Sequence, residues 1–192
     1  MCHIPAQGFT INETRLAVGI NGKTTKRNPP TLYNVAYQRL LFHDGREFTL
    51  EDQMISPLTN PVEMGNPSIG YVVNKIGKLP GYEEQFHHVF GEGVSVETLG
   101  KAIASYERTI LSGNSPFDRW YFGKDQTAVS EDVKRGFKLF SGRGQCSTCH
   151  TVNKESALFT NQGFHNTGAA QLQLIPEKTV EVDLGGGLTV KM

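Results

Sequence analysis

Apolar positions follow helical spacing through the middle of the chain and lose that order towards both ends. Behind Ser95, the residues Val96, Leu99, Ile103, Tyr106 and Ile110 recur on one face until Gly113, which predicts a helix capped by the Ser95 hydroxyl. Ser68 precedes Ile69, Val72, Val73 and Ile76, with Pro80 beyond, and predicts a second helix. Tyr82, Phe86, Val89 and Phe90 form a third stripe that stops at Gly91. Thr49 can cap a short helix through Leu50-Glu51-Asp52-Gln53, which must bend or end near Pro57.

Further along, Ser115-Pro116 is a cap with a proline at the first helical position, leading into Phe117-Asp118-Arg119-Trp120. Trp120 is expected in a core. Gly123 to Thr127 is polar and reads as a linker. Ser130 then caps a helix with Val133, Phe137 and Phe140 on one side. Residues 4–48 instead carry turn formers such as Gly19, Gly22 and Asn28-Pro29-Pro30, a long irregular segment of the kind that wraps a cofactor. Residues 179–190 alternate weakly and predict a small hairpin. The pattern is that of a mainly α protein.

Composition narrows the choices. Nineteen basic and nineteen acidic residues cancel, so no overall field favours nucleic acid or an anionic membrane. No apolar run approaches the roughly eighteen residues of a membrane span. Three cysteines, two of them close together, do not make a disulfide framework.

Those two cysteines lie in Cys146-Ser147-Thr148-Cys149-His150, and C-x-x-C-H is the attachment signal of a c-type haem. Two thiols at this spacing can each bond one porphyrin vinyl group, which leaves the adjacent imidazole beneath the iron. A zinc half-site and a redox dithiol are the competing readings. The first lacks a second ligand pair, and the second lacks a βαβ setting. Cys2-His3 looks like the tail of a second such motif whose first Cys falls before residue 1. Residues 1–20 lack the basic start and apolar core of a secretory signal, although covalent haem attachment in bacteria happens outside the cytoplasm. The expectation is an internal segment of a longer exported protein.

A helix, a glycine-rich turn and C-x-x-C-H open a cytochrome c domain, and the first half repeats the plan. Two tandem cytochrome c-like modules are therefore expected, residues 1–125 without the first helix and 126–192 as the incomplete second.

The chain resembles the bacterial di-haem cytochrome c peroxidases and their MauG-like relatives. The resemblance rests on Cys2-His3-Ile4-Pro5, Gly8-Phe9-Thr10, Lys26 to Asn34, Phe42-His43-Asp44-Gly45-Arg46 and Leu50-Glu51-Asp52-Gln53. It continues through Pro57, Asn60 to Gly65, Cys146 to His150, Phe164 to Gly168 and Asp183-Leu184-Gly185. It runs nearly end to end in family order, and it implies that a third or more of the protein follows Met192.

The resemblance implies two c-type haems, with His3 and His150 as proximal ligands and Cys2, Cys146 and Cys149 as attachment points. The first haem would react with hydrogen peroxide, and the second would relay electrons from a small cytochrome c or a cupredoxin. Gln53, Pro57 and Glu63 fall at distal-pocket positions, with Glu63 as the proton-moving group. A carboxyl group desolvated by porphyrin and apolar walls holds its proton more tightly, which suits such a role near neutral pH. Taken alone, Glu63 reads as a solvated loop carboxylate, and Gln53 reads equally as a helix-surface amide or as a hydrogen-bonding group for peroxide or an ordered water. Asn28 falls where the family supplies a calcium ligand, and is otherwise a turn residue. His165 falls near the second haem as a hydrogen-bonding group, and His87 and His88 read as surface residues. Periplasmic location and a homodimer are compatible with the resemblance.

Two departures bear on function. Many family members carry a His in the loop corresponding to Val18 to Lys26 that caps the first iron until reduction, and none is present here. A first haem with an open sixth position is expected. Where the family has a Trp relay between the haems, this chain has His43, and imidazole is harder to oxidise than indole. Peroxide reduction is thus the favoured activity. The alternatives are a MauG-like oxidase acting on a partner protein, an electron-transfer cytochrome without peroxide chemistry, and a segment inactive by itself. Protein matured with a haem-attachment system is expected to stain for covalent haem and give a c-type pyridine haemochrome spectrum. Replacing Cys146 and Cys149 by Ser should remove the second haem's share of that signal.

Overall fold

A computed structural model describes residues 2–168 and the backbone of 181–183 and 189–191. The chain divides into two compact units, Met1–Gln162 and Gly163–Met192.

The long regular elements of the first unit are all helices. Thr49 accepts a hydrogen bond from the Asp52 N–H and starts α1 (Leu50–Gln53), which is followed by α2 (Ile55–Thr59). Pro57 lies inside α2 and does not end it. The break falls at Met54, beside Gln53, whose carbonyl a residue with an N–H at position 57 would have engaged. Ser68 caps α3 (Ile69–Gly77), and α4 (Tyr82–Phe90) ends at Gly91 in the left-handed conformation. A capping box between Ser95 and Thr98 opens α5 (Val96–Thr109). This helix stops short of Gly113, and Asn34 holds the chain just beyond its end. The Asn34 N–H donates to the Ile110 carbonyl, while its side chain exchanges two hydrogen bonds of 2.9 Å with the Ser112 backbone.

Met54, Val72, Phe86 and Leu99 form the main core, joined by Ile69, Val73, Ile76, Phe90 and Ile103. Tyr82, Val89 and Tyr106, expected on the same stripes, are exposed. A second cluster of Leu41, Leu50 and Ala104 lies between α1 and α5. Gly100 permits this approach, since a Cβ there would meet the Glu51 carbonyl oxygen at 2.8 Å. Arg108 closes the same seam with a two-pronged ion pair to Glu51, at 2.7 and 3.1 Å. The Arg108 hydrogen bonds hold the Glu51 carboxyl below its ordinary pKa.

A capping box of Ser115 and Asp118, with Pro116 at the first position, forms α6 (Pro116–Tyr121). Ser130 caps α7 (Glu131–Ser141). Phe117 gathers the rings of Trp120, Tyr121, Phe137 and Phe159 around it. Trp120 is half-buried in this cluster, not in the core. Phe137 meets Phe117 at a tilt and Trp120 edge-on, and the compact unit runs past residue 125, the expected module boundary.

Before α1 the chain is irregular, as its turn formers imply. Isolated bridges Ile4–Thr10, Val18–Thr24 and Leu41–Glu47 pinch it into three small loops. In the second unit the expected hairpin is formed by β1 (Glu181–Asp183) and β2 (Thr189–Lys191), antiparallel with Val182 opposite Val190. Residues 179, 180 and 184–188 of that expectation lie outside the described residues. No helix among the described residues is long and apolar enough to cross a membrane.

Glu107 on α5 is buried, with its Oε2 unpartnered among the described residues. Desolvation raises its pKa from 4.5 to about 7, against the opposing pull of Arg108, with the nearby Glu51 charge adding to the rise. Between these values the unfolded carboxyl has ionised while the folded one keeps its proton, so stability falls as pH rises through the window. Comparing the protein with Glu107→Gln isolates this contribution. The variant is expected to gain on the order of 2–3 kcal/mol relative to the parent between pH 4.5 and 8, measured by denaturant unfolding. A constant difference across that range would contradict the assignment.

Candidate functional site

Both expected haem-ligand histidines are held in the same way. The His3 Nδ1 lies 2.9 Å from the Phe9 carbonyl oxygen, and the His150 Nδ1 lies 2.9 Å from the Phe159 carbonyl oxygen. A carbonyl only accepts, so each Nδ1 donates, and in the neutral ring Nε2 then keeps its lone pair. Both rings are exposed, which leaves Nε2 open to a metal. A hydrogen bond from the far nitrogen is the usual means of orienting a ligating imidazole.

The accepting residues share a strained backbone. Phe9 (φ 57°) and Phe159 (φ 53°) are left-handed, an uncommon state for a bulky side chain that costs on the order of 1–3 kcal/mol. Ring packing secures each one. Phe9 meets Tyr33 edge-on at 5.3 Å, and Phe159 meets Phe117 at 5.1 Å and Phe140 at 5.9 Å. Beside His150, Cys146 to Thr148 form a 3-10 turn, with Cys146 exposed and Cys149 half-buried. The thiols of Cys2, Cys146 and Cys149 are all free. These residues fit a covalently attached haem with an imidazole ligand at each loop.

The loop carrying His3 is fastened to the Asn28–Asn34 segment. Thr10 Oγ1 donates to the Pro29 carbonyl (2.6 Å), Thr31 Oγ1 to the Gly8 carbonyl (2.5 Å), and Asn28 Nδ2 to the Ile11 carbonyl (2.9 Å). Asn34 continues this segment to the end of α5. The His3 loop, a short 3-10 turn closed by the Ile4–Thr10 bridge, is thereby tied to the helical core.

Gln53, Pro57 and Glu63 sit on consecutive pieces of chain, all half-buried. The turn after α2 folds back on it: the Met64 N–H donates to the Pro57 carbonyl (3.2 Å), and Asn66 donates twice to the Leu58 carbonyl. Asn60 Nδ2 donates to Glu63 Oε1 at 3.1 Å. This bond holds one of the two carboxyl oxygens of Glu63 in place.

A profile of di-haem cytochrome c peroxidases matches residues 1–126. The chain belongs to the di-haem cytochrome c peroxidase family. It is 38% identical over 169 residues to the methylamine utilization protein MauG of Methylorubrum extorquens, covering 87% of this chain and 46% of that protein. It is 36% identical over 149 residues to the cytochrome c peroxidase Ccp of Escherichia coli, covering 78% of this chain and 31% of that protein. The solved diheme peroxidase BthA of Burkholderia thailandensis superposes with a TM-score of 0.73 at 29% identity, over 83% of this chain and 46% of that one. The chain thus spans about a third to a half of the length of these relatives.

The remaining family positions cluster around Asn28. His43 Nε2 donates to the Asn28 carbonyl at 2.8 Å, which fixes the ring expected as a relay. Asn28 Oδ1 is buried and has no hydrogen-bond partner among the described residues. Nearby, Asp44 pairs with Arg46 (2.7 Å) and Arg27 (2.9 Å), and the Arg46 hydrogen bond is the chief cause of its lowered pKa. The Arg46 guanidinium also stacks 3.4 Å over the Phe42 ring. His87 and His88 are exposed on α4, as expected, and His87 faces Glu83 at 3.4 Å.

Periodicity did not reveal the accepting phenylalanines, the Asn34 clasp or the buried Glu107. One signal was available for the first: Phe-Thr follows each Cys-His, as Phe9-Thr10 and Phe159-Thr160.

Proposed function

We propose that this chain supplies the peroxide pocket and the start of the electron-relay module of an exported di-haem peroxidase, in tandem modules of residues 1–125 and 126–192. The matched His3–Phe9 and His150–Phe159 hydrogen bonds carry the reading, since both leave Nε2 as the coordinating atom. When bound, c-type haem supplies an iron that accepts a peroxide oxygen and passes single electrons. Overall, one hydrogen peroxide with two electrons and two protons gives two waters.

The residues divide this work. Cys2, Cys146 and Cys149 anchor the haems, and His3 and His150 orient them. Glu63 takes a proton from one peroxide oxygen and returns it to the other, while Asn60 keeps its Oε1 in place. Gln53 offers an amide to the peroxide or to water, and Pro57 shapes the wall between them. Electrons arrive through the second module from a small cytochrome c or a cupredoxin in the periplasm, passing the region of His43. The protein is proposed to work as a homodimer. Oxidation of a partner protein is the second reading, favoured by the likeness to MauG and weakened by His43, whose imidazole is a poor radical carrier.

Calcium is proposed at Asn28. Its Nδ2 and carbonyl are already used, so the buried Oδ1 is the one free oxygen of the residue, and oxygen donors suit a hard cation. Among the described residues no cluster of three or more His, Cys, Asp or Glu could hold a metal, so Asn28 is proposed as one ligand of a site completed by other oxygen donors.

Two outcomes are expected. In the haem-loaded protein, Glu63→Gln should lower kcat for peroxide by about a hundredfold or more while leaving the optical spectrum unchanged. Unchanged turnover would remove Glu63 from the mechanism. Calcium at a hundred times its Kd should raise stability by about 2.7 kcal/mol, seen as a higher Tm, and Asn28→Ala should abolish the increase. An equal rise in the variant would place the cation elsewhere.

A further inference from the structure

The turn that bears Glu63 is held from outside by a hairpin some forty residues earlier in the chain. Residues 18–24 close through the Val18–Thr24 bridge, with the Gly19 N–H on the Lys23 carbonyl (2.8 Å). At its tip Asn21 (φ 55°, ψ 30°) and Gly22 (φ 72°) are both left-handed, the Asn-Gly geometry of a tight hairpin turn. Its base is fixed at the buried Ala17, whose carbonyl accepts from both the N–H and the Oγ1 of Thr25.

The tip rests on residues 61–65. The Ile20 N–H donates to the Glu63 carbonyl at 2.8 Å, and Lys23 Nζ donates to the Pro61 carbonyl at 3.1 Å. Two glycines make the approach possible. A Cβ on Gly19 would fall onto the Val62 carbonyl oxygen, and one on Gly65 would come within 2.9 Å of Ile20 Cγ2. Inside the turn, the Glu63 and Gly65 N–H groups both donate to the Asn60 carbonyl, and the Val62 N–H donates to Asn60 Oδ1. Asn60 therefore shapes the turn, and the hairpin fixes where it stands.

We infer that the 18–24 hairpin is the positioning element of the proton-shuttling carboxyl, with Gly19, Ile20 and Gly65 as positioning residues for Glu63. The inference rests on the proposed role of Glu63. A carboxyl that serves two peroxide oxygens in turn must be held to a fraction of an ångström, and a surface turn tied only to itself does not provide that. The contacts to Glu63 and Pro61 are to the backbone, so the hairpin sets the position of the residue and leaves its carboxyl free to react.

Gly22→Val tests this with little collateral damage, because nothing lies within 4 Å of a Cβ at Gly22 and only the left-handed turn is strained. Gly91→Val is the matched control, since Gly91 (φ 76°) is equally open but ends α4. Both variants and Glu63→Gln are compared in the haem-loaded full-length protein by amide hydrogen exchange and by peroxide kinetics. Gly22→Val should speed exchange about tenfold at Ile20 and across residues 60–65, and lower kcat about tenfold with little change in KM. Gly91→Val should do neither. Unchanged exchange in residues 60–65, or the same change in the control, would overturn the inference. So would faster exchange with full turnover where Glu63→Gln is inactive. If Glu63→Gln keeps its turnover, the role of Glu63 fails and the inference with it, while exchange still reports whether the hairpin holds the turn.

Discussion

A hydrogen bond from an imidazole Nδ1 to a carbonyl of its own loop is the constraint around which this protein is arranged. It appears twice, at His3 and His150, each time at 2.9 Å and each time to a phenylalanine in the left-handed conformation. The bond sets the tautomer, the tautomer frees Nε2, and Nε2 is the atom an iron needs. Holding a bulky residue left-handed is unfavourable by itself, so the surroundings must secure it. At Phe9 that support is Tyr33, and at Phe159 it is the ring cluster gathered by Phe117.

Much of the remaining structure serves these loops. The Asn28–Asn34 segment makes little regular structure, yet it binds the His3 loop through Thr10, Thr31 and Asn28 and reaches α5 through Asn34. Individual hydrogen bonds of this kind contribute only about 1 kcal/mol each, but together they replace the secondary structure that the segment lacks. The helical core behind them is held by burial around Met54, Phe86 and Leu99 and by the Glu51–Arg108 pair across α1 and α5. The result is a helical frame carrying irregular loops, with His3 and His150 exposed on two of them.

The helices were legible in the chain because their starts are written in short-range chemistry. Thr49, Ser68, Ser95, Ser115 and Ser130 each cap the helix expected of them. Helix ends were less legible where a distant residue holds the chain beyond them, as Asn34 does for α5. Pro57 marks the expected bend, which falls three residues upstream at Met54 because the missing N–H at 57 leaves the Gln53 carbonyl unengaged. C-x-x-C-H and Cys-His point to His3 and His150 as the expected haem ligands, but the carbonyls that orient their rings could not be read from the chain, since those bonds depend on backbone conformation. The burial of Glu107 was hidden for a similar reason: it interrupts no apolar stripe, and only the packing around α5 desolvates it.

The paired imidazole hydrogen bonds can be read directly. Long-range nitrogen–proton correlation spectra of the haem-free protein report which ring nitrogen of each histidine carries the hydrogen. Free neutral histidine favours the hydrogen on Nε2, so the reverse state is diagnostic. Nδ1–H is expected for both His3 and His150. Nε2–H at either His3 or His150 would contradict this.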